Sequence, residues 1–273
     1  MFALLLLIIN ITISFLGIYL FDYNVDEIIN SPGIIILSIL AGSIITLIVF
    51  YLYIELTYLL FAKKGPQNSK VKHFFAKQIM TVPLFFTNTR TKIIGKENLP
   101  ENPGFSIYVN HTSMMDIPVL MYKLDKYPVA FLSKEKILNV FAIGKWTPPL
   151  GCVMIDRENA RKGAESIIKV IKNVKSGSTM VVFPEGTRSA EIGKLIEFKP
   201  GSFKVALKSK APLVPITIVK PLNYKKVMWP LPKRITLVIH KPIPFEELKG
   251  MASLDLSIKV KQIIEEPLLK NNK

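Results

Sequence analysis

Residues 105–116, FSIYVNHTSMMD, join an apolar strand pattern to the polar start of a helix. FSIYVN predicts a short strand that ends at Asn110, and Ser113 followed by Asp116 has the S-x-x-D spacing of a capping box that opens a helix. His111 therefore lies where a strand passes into a helix, and α/β proteins bind ligands at such positions. The stretch predicts an α/β fold with a polar site at this turn.

A histidine and an aspartate can also act as a catalytic pair, so this stretch has two interpretations, a catalytic pair and a capping box. On a continuous helix, residues five apart are separated by roughly 140° at about 3.6 residues per turn, so the two side chains would not face each other. Across a strand-to-helix junction, the carboxylate can instead orient one imidazole nitrogen and leave the other as a general base. The chain has no G-x-S-x-G elbow, so the proton would come from a substrate hydroxyl.

Five further apolar stretches, each bounded by Pro, Gly or charged residues, predict additional strands. Helical patterns fall between them, at residues 158–175, 202–210 and 253–269. Strands that alternate with helices indicate a central, mostly parallel or mixed sheet flanked by helices. The five stretches are YPVAFLS, GCVMID, TMVVFPEG, PLVPITIV and RITLVIH, at residues 127–133, 151–156, 179–186, 212–219 and 234–240.

Charge is distributed unevenly along the 273 residues, which contain 36 Lys and Arg and 20 Asp and Glu. Every basic residue follows Ala62, whereas the first 62 residues carry only acids. The region after Ala62, which we call the basic body, would attract polyanions in general, whether nucleic acid, an anionic lipid surface or an acidic carrier protein. The single Cys152 excludes an intramolecular disulfide and the three histidines lack metal-ligand spacing, so we expect neither a metal nor a cofactor.

Two charge-free apolar runs, residues 1–21 and 33–54, are each long enough for about 20 residues of membrane-spanning helix. A cleaved signal peptide is disfavoured, because the first run has no preceding Lys or Arg and no A-x-A-like site. The sequence instead predicts a hydrophobic helical hairpin over residues 1–62. Polar Ser, Thr and Asn residues lower the hydropathy of both runs, so a hairpin that dips into one leaflet is the alternative to one that spans the membrane.

The connection between the runs contains acids and no base, whereas Lys63 and continuous positive charge follow the second run. The positive-inside rule then predicts that residues 63–273 form a cytoplasmic domain. We expect the chain at the cell membrane, with its catalytic domain on the cytoplasmic side.

Three other motifs accompany the His111 turn. GCVMIDR ends in Arg157 directly after a predicted strand, VFPEGTRS places Glu185 and Arg188 in a turn, and PLVPI is an apolar strand with two prolines. Each has an ordinary interpretation as a helix start, a turn or an edge strand. Arginines at strand ends also suit phosphate, which the planar guanidinium binds with two parallel hydrogen bonds.

In this order and spacing, the four motifs resemble those of the PlsC-like glycerolipid acyltransferases, the family of 1-acyl-sn-glycerol-3-phosphate acyltransferases. The resemblance covers residues 92–241, and Met154 stands where many relatives have an aromatic residue. The motifs are N-H-x-x-x-x-D at residues 110–116, a run of the type G-x-[IV]-[FM]-[IV]-D-R at 151–157, F-P-E-G-T-R-S at 183–189 and V-P-[IVL] at 214–216.

The resemblance implies that His111 removes a proton from a glycerol hydroxyl, which attacks an acyl thioester directly, while Asp116 orients the imidazole. The acceptor would be lysophosphatidic acid from the membrane, and the donor would be acyl-CoA or an acylated acyl carrier protein. An apolar hairpin and a basic body would hold the enzyme at an anionic membrane surface. The residues expected to bind substrate are Arg157, Glu185, Gly186, Thr187, Arg188 and Lys134.

Two alternatives stay open, and a third is disfavoured. Glycerol 3-phosphate or another lysophospholipid would use the same motif chemistry as the acceptor. A membrane-anchored basic scaffold would share the charge pattern without needing His111 and Asp116 at this spacing. Nucleic acid is not an expected partner, because phosphate contacts would then form a surface stripe, and no recognition motif is present.

Overall fold

The computed structural model describes residues 2–20, 32–156 and 159–271. It divides the chain into two compact units, Met1–Lys64 and Gly65–Lys273. In its described part the first unit contains helix α1 (Phe2–Leu20) and helix α2 (Pro32–Thr57), which continues as a π-helical turn over Tyr58–Ala62. The predicted acidic connection between the two helices, residues 22–31, lies outside the described residues.

The two helices of the first unit pack closely at Gly42. A Cβ atom at this position would lie 2.3 Å from Ser14 Oγ, so only glycine permits the approach. Nearby, Asn10 Nδ2 donates a hydrogen bond of 3.1 Å to Ser43 Oγ. Both helices are long and apolar enough to cross a membrane by length and composition.

The second unit is built on a mixed seven-stranded sheet, in the order β1-β7-β6-β2-β5-β3-β4. Strands β2 to β6 run parallel to one another, β7 is antiparallel to β6, and β1 is parallel to β7. The carboxyl ends of β2 to β6 and the amino ends of β1 and β7 therefore lie on the same side of the sheet. Below, the edge of the sheet that carries the site means this row of strand ends and not an outermost strand. The strands are Thr89–Ile94, Ser106–Val109, Val129–Lys134, Val153–Ile155, Thr179–Val182, Leu213–Val219 and Lys233–Ile239.

Helices cover both faces of this sheet. On one face, α5 to α8 contribute to a core cluster that includes Tyr108 of β2. Side chains alternate along a strand, so Ile107 and Val109 point to the opposite face, where α3 and α4 pack. The helices of this unit are α3 (Lys70–Phe86), α4 (Asp116–Lys123), α5 (Ala160–Lys175), α6 (Lys204–Ser209), α7 (Phe245–Leu248) and α8 (Ser253–Asn271).

The predicted α/β class with a mixed sheet flanked by helices and preceded by apolar helices is confirmed. Each of the six apolar stretches contains a strand, and the three helical patterns contain helices. Two details differ from the predictions. Strand β1 was not predicted, because TRTKII alternates polar with apolar residues on an edge strand. The last helix, α8, includes Pro267 and continues to Asn271, beyond the predicted end at residue 269.

Candidate active site

The sheet topology brings the sequence motifs to one edge. The His111 turn follows β2, the turn with Glu185 follows β5, Lys134 ends β3, and Lys220 follows β6. Since these strands are parallel, their carboxyl ends lie at the same edge, which is where α/β sheets bind ligands. The candidate site is therefore assembled from segments that are far apart in the sequence.

The predicted pair is formed, with His111 Nδ1 2.8 Å from Asp116 Oδ2. Asp116 is fully buried as the first residue of α4, whereas the His111 side chain is 15% exposed. The same Oδ2 atom accepts hydrogen bonds from the backbone N–H groups of Thr112 and Ser113, at 2.8 and 2.9 Å. One carboxylate thus contacts both the histidine and the backbone of the turn before α4. The predicted capping box is only half formed, because Ser113 Oγ accepts from the N–H of Met115 instead of that of Asp116.

The other oxygen of this carboxylate accepts a hydrogen bond from Lys220 Nζ. The Lys220 side chain is only 1% exposed, and its Nζ also donates to Thr112 Oγ1 at 2.7 Å. The Tyr224 ring covers the ammonium, with its centroid 5.0 Å from Nζ. Sequence reasoning missed Lys220, although its position at the end of the strand beside β2 could have indicated it.

The charges of this buried pair are mutually dependent. Burial raises the pKa of Asp116, but hydrogen bonds from His111 and the charge of Lys220 outweigh this effect and hold the pKa below its usual value. Burial lowers the pKa of Lys220, and the charge of Asp116 opposes that shift. Because an ionised Asp116 only accepts hydrogen bonds, we assign the proton to His111 Nδ1, which leaves Nε2 with a free lone pair.

Glu185 supports the His111 turn from the neighbouring strand. Its Oε1 accepts from the backbone N–H of His111 at 2.7 Å, and its Oε2 accepts from the backbone N–H of Ile196 at 2.9 Å. Burial raises the pKa of this carboxyl to about 7, and the two backbone hydrogen bonds oppose the shift. Glu185 is 1% exposed, so the contact that the structure gives it is with the backbone. Its predicted contact with substrate stays a prediction.

Two more contacts hold the turn around His111. The backbone N–H of Ser189 donates to His111 O at 2.8 Å. The Phe183 ring stacks on the imidazole, with centroids 4.1 Å apart. The F-P-E-G-T-R-S motif therefore fixes both the backbone and the ring of His111.

Asn110 joins the two strands that carry His111 and Lys220. Its Oδ1 accepts from the backbone N–H of Ile218 at 2.7 Å, and its Nδ2 donates to Ile218 O at 3.1 Å. This amide pair fixes the end of β2 against the end of β6. The asparagine of the N-H-x-x-x-x-D motif thus has a structural contact that sequence spacing alone does not reveal.

The other predicted site residues lie around this centre. Gly186 closes the turn after β5 with φ +76°, a left-handed conformation that suits glycine, and its N–H donates to Phe183 O at 3.0 Å. Thr187 and Arg188 follow it and are exposed, as is Lys134 at the end of β3. Arg157 lies outside the described residues.

An open groove of about 590 Å³ runs between α5 and the turn after β5. Ile167, Ile168 and Ile171 of α5 form part of its wall, and Phe183 brings it next to the His111 ring. The apolar side chains of α5 therefore face this groove as well as the core. Lys199, Lys204 and Lys208 also line it.

The remaining histidines make ordinary structural contacts. His73 Nε2 lies 3.3 Å from Gln67 O, and His240 Nε2 lies 2.8 Å from Thr217 Oγ1. Within residues 2–20, 32–156 and 159–271, no group of three or more His, Cys, Asp or Glu side chains could hold a metal ion.

The chain is similar to known proteins over the part that contains this site. The sequence model of the Acyltransferase family matches residues 90–219. The chloroplastic 1-acyl-sn-glycerol-3-phosphate acyltransferase BAT2 of Brassica napus is 34% identical over 180 residues, which are 64% of this chain and 51% of that protein. The 1-acyl-sn-glycerol-3-phosphate acyltransferase of Bacillus subtilis is 31% identical over 152 residues, which are 56% of this chain and 73% of that protein.

The fold also has a counterpart among solved structures. The crystal structure of the 1-acyl-sn-glycerophosphate acyltransferase PlsC from Thermotoga maritima superposes with a TM-score of 0.61 at 23% identity, over 82% of this chain and 95% of that one. The chain spans about half the length of the plant relative that it matches.

Proposed function

Because the chain belongs to the 1-acyl-sn-glycerol-3-phosphate acyltransferase family, we propose that it transfers an acyl chain from an acyl thioester to the free hydroxyl of 1-acylglycerol 3-phosphate. The product would be phosphatidic acid, a precursor in phospholipid synthesis. The contact of 2.8 Å between His111 Nδ1 and Asp116 Oδ2 carries this proposal, because it leaves Nε2 as a base at the ligand-binding edge of the sheet.

The reaction uses His111 first as a base and then as an acid. Nε2 takes the proton of the acceptor hydroxyl while the hydroxyl oxygen attacks the thioester carbonyl, so that a C–O bond forms and the C–S bond breaks. The imidazolium then returns the proton to the departing thiolate. Asp116 stabilises the imidazolium charge, and no acyl-enzyme is needed.

Basic residues at the mouth of the site would bind the phosphate of the acceptor. Arg188 is exposed in the turn after Glu185, and its guanidinium can form two parallel hydrogen bonds with a phosphate. We assign the same task to Arg157, with Lys134, Gly186 and Thr187 completing the site. Glu185 acts through the His111 backbone that it holds.

The groove beside α5 supports a substrate with an alkyl chain. Its isoleucines and Phe183 give it apolar walls that reach the His111 ring, and lysines that also line it suit an anionic group. An acyl chain that lies there would place its carbonyl or glycerol end near the base. Holding both reactants in this way supplies the entropic part of the rate enhancement.

We propose that residues 1–62 form a membrane hairpin and residues 63–273 a cytoplasmic catalytic domain at the cell membrane. The two apolar helices and the restriction of Lys and Arg to the region after Ala62 support this arrangement. The donor is then a cytoplasmic thioester of CoA or of an acyl carrier protein, and no resident cofactor takes part.

The test is an assay of the full chain in mixed micelles, with a panel of acceptors and both donors, following the release of thiol. We expect release to depend on lysophosphatidic acid and to fall by about 10² or more in His111→Ala. If the chain prefers glycerol 3-phosphate or another lysophospholipid, the proposed acceptor is wrong and the proposed reaction still holds. Absence of thiol release with every pair of substrates would favour a membrane-anchored scaffold instead.

A further inference from the structure

Large apolar side chains are exposed at the same edge of the sheet as the His111 turn. Residues 220–232 connect the carboxyl end of β6 to the amino end of β7, and α3 ends just before β1, which is parallel to β7. Both segments therefore project from the edge that carries the site. The exposed side chains are Met228 at 77%, Trp229 at 74%, Leu231 at 63%, Leu222 at 62%, Phe86 at 58% and Phe85 at 40%.

Hydrogen bonds join the two segments. Asn88, two residues after the end of α3, donates from Nδ2 to Pro230 O at 2.8 Å. The backbone N–H of Lys233 donates to Asn88 O at 3.0 Å. We call the exposed apolar side chains of these two segments the apolar rim, which comprises Phe85, Phe86, Leu222, Met228, Trp229 and Leu231.

Positive charge borders the apolar rim. Lys225 and Lys226 are exposed within the loop, and the sequence has no Asp or Glu between Glu197 and Glu246. Arg90 of β1 and Arg234 of β7 are register partners, and both are exposed. Like charges on adjacent strands repel each other, and an anionic surface opposite them would relieve the repulsion.

We propose that the apolar rim and its bordering bases dock on an anionic lipid surface. Contiguous exposed apolar side chains mark interaction sites, and aromatic residues with Lys or Arg are typical of the membrane interface. The bases alone would also suit an acidic protein, but apolar side chains that protrude from a loop and a helix end favour insertion between lipid headgroups. This attachment is separate in sequence from the two N-terminal helices. It rests on the proposed function only for the identity of the lipid that reaches the site.

Trp229 is a natural reporter of this docking. The chain has two tryptophans, and the other one, Trp146, is 2% exposed. In nanodiscs of anionic lipid, the difference between the fluorescence of the full chain and that of Trp229→Phe isolates Trp229. We expect brominated acyl chains to quench this signal by about twofold or more, and aqueous acrylamide to quench it weakly.

Two matched controls sharpen the experiment. Leu254 is 56% exposed at the start of α8, and the combination of Leu254→Trp with Trp229→Phe should give a signal that acrylamide quenches and bromolipid does not. The pair Lys226→Glu and Arg234→Glu should reduce the quenching of Trp229 by bromolipid. The pair Lys169→Glu and Lys172→Glu on α5 changes the net charge equally and should leave it unchanged.

Quenching of Trp229 by acrylamide and not by bromolipid would overturn the proposal. It would also be overturned if acyl carrier protein protected Trp229 from acrylamide while bromolipid left it unaffected, because the partner would then be an acidic protein. The readout is independent of acyl transfer. An inactive chain whose Trp229 is quenched by bromolipid would leave the docking surface standing and remove only the proposed function.

Discussion

At Asp116, one buried carboxylate accepts hydrogen bonds from a catalytic candidate, from the backbone of the turn before α4 and from a lysine. His111 Nδ1, two backbone N–H groups and Lys220 Nζ all point at its two oxygens. The capping box and the catalytic pair were alternatives in the sequence. The histidine contact is formed, whereas only half of the capping box is, because Ser113 Oγ accepts from the N–H of Met115 and not from that of Asp116. Removal of the charge at this position should therefore affect stability as well as chemistry.

Replacement of His111 should affect catalysis far more than folding. The ring is partly exposed and its backbone contacts are independent of the side chain. For His111→Ala we expect kcat to fall by about 10² to 10⁴, the usual contribution of a general base, while the protein stays folded. Retention of more than about a tenth of the activity would contradict the assigned role.

Asp116→Asn should destabilise the domain, because it leaves the Lys220 ammonium buried without its carboxylate. Breaking a buried ion pair by removing one partner costs about 3–5 kcal/mol. The double variant Asp116→Asn with Lys220→Met removes both charges and should recover most of the lost melting temperature, yet stay inactive. If Asp116→Asn melts like the original chain, the Lys220 pair contributes nothing to stability.

Arg188 should affect the acceptor and not the donor. A lost charge-assisted contact costs about 1.5–3 kcal/mol, so Arg188→Ala should raise KM for lysophosphatidic acid by roughly tenfold or more, and Arg188→Lys should rescue it partly. Lys194→Ala, which removes another exposed base of the same loop, is the control and should leave KM unchanged. Equal losses for acceptor and donor would indicate a structural role for Arg188.

Residue patterns identify charged groups more easily than their partners. His111 and Asp116 were predicted as a pair because their spacing works only across a strand-to-helix turn. Lys220 was missed because one lysine after a strand has no motif, and its contact depends on β6 lying beside β2. The backbone partners of Glu185 were unpredictable for the same reason, since Ile196 is eleven residues away.

At the scale of elements, apolar strands could be predicted and their order could not. Stretches such as TMVVF and PLVPITIV are buried in the middle of the sheet, so their sequences are continuously apolar. Strand β1 lies at the edge and exposes every second residue, which makes its pattern ambiguous. The order of the strands depends on contacts between distant segments, which a single sequence does not contain.

The turn that joins β5 to the site should make stability depend on pH through Glu185. Its pKa in the folded protein is raised from 4.5 to about 7, so the folded state binds more protons than the unfolded state between these values. The contribution of Glu185 to the free energy of unfolding is therefore fully present below pH 4.5 and is lost as the pH rises to about 7. The total loss is at most about 3 kcal/mol.

Melting temperatures in detergent between pH 4.5 and 8 test this expectation. Glu185→Gln removes the titrating group and should flatten the fall in melting temperature with rising pH. Glu197→Gln, at a carboxylate whose side chain is 78% exposed, is the control and should leave the slope intact. An unchanged slope in Glu185→Gln would assign the pH dependence to other groups.

At the scale of the whole molecule, charge and hydropathy divide the chain in two. The apolar helices precede every basic residue, and the apolar rim adds exposed aromatic and aliphatic side chains at the edge that carries the site. In the proposed function, a lipid acceptor and a water-soluble thioester meet at that edge. The proposed function therefore requires that the second unit face the compartment that contains the donor.

The proposed topology can be tested with single cysteines and a membrane-impermeant maleimide. Asn24 lies between the apolar runs, outside the described residues, and Ser176 is exposed after α5. By the positive-inside rule, Asn24→Cys should be labelled in intact cells and Ser176→Cys only after the membrane is opened. The native Cys152 should stay unlabelled in both, because burial raises the pKa of its thiol to about 12. If Asn24→Cys also requires an opened membrane, the hairpin dips into one leaflet and both units lie on the same side.

The donor would still reach the site from the cytoplasm in that case, so this result would change the membrane arrangement and leave the proposed chemistry intact.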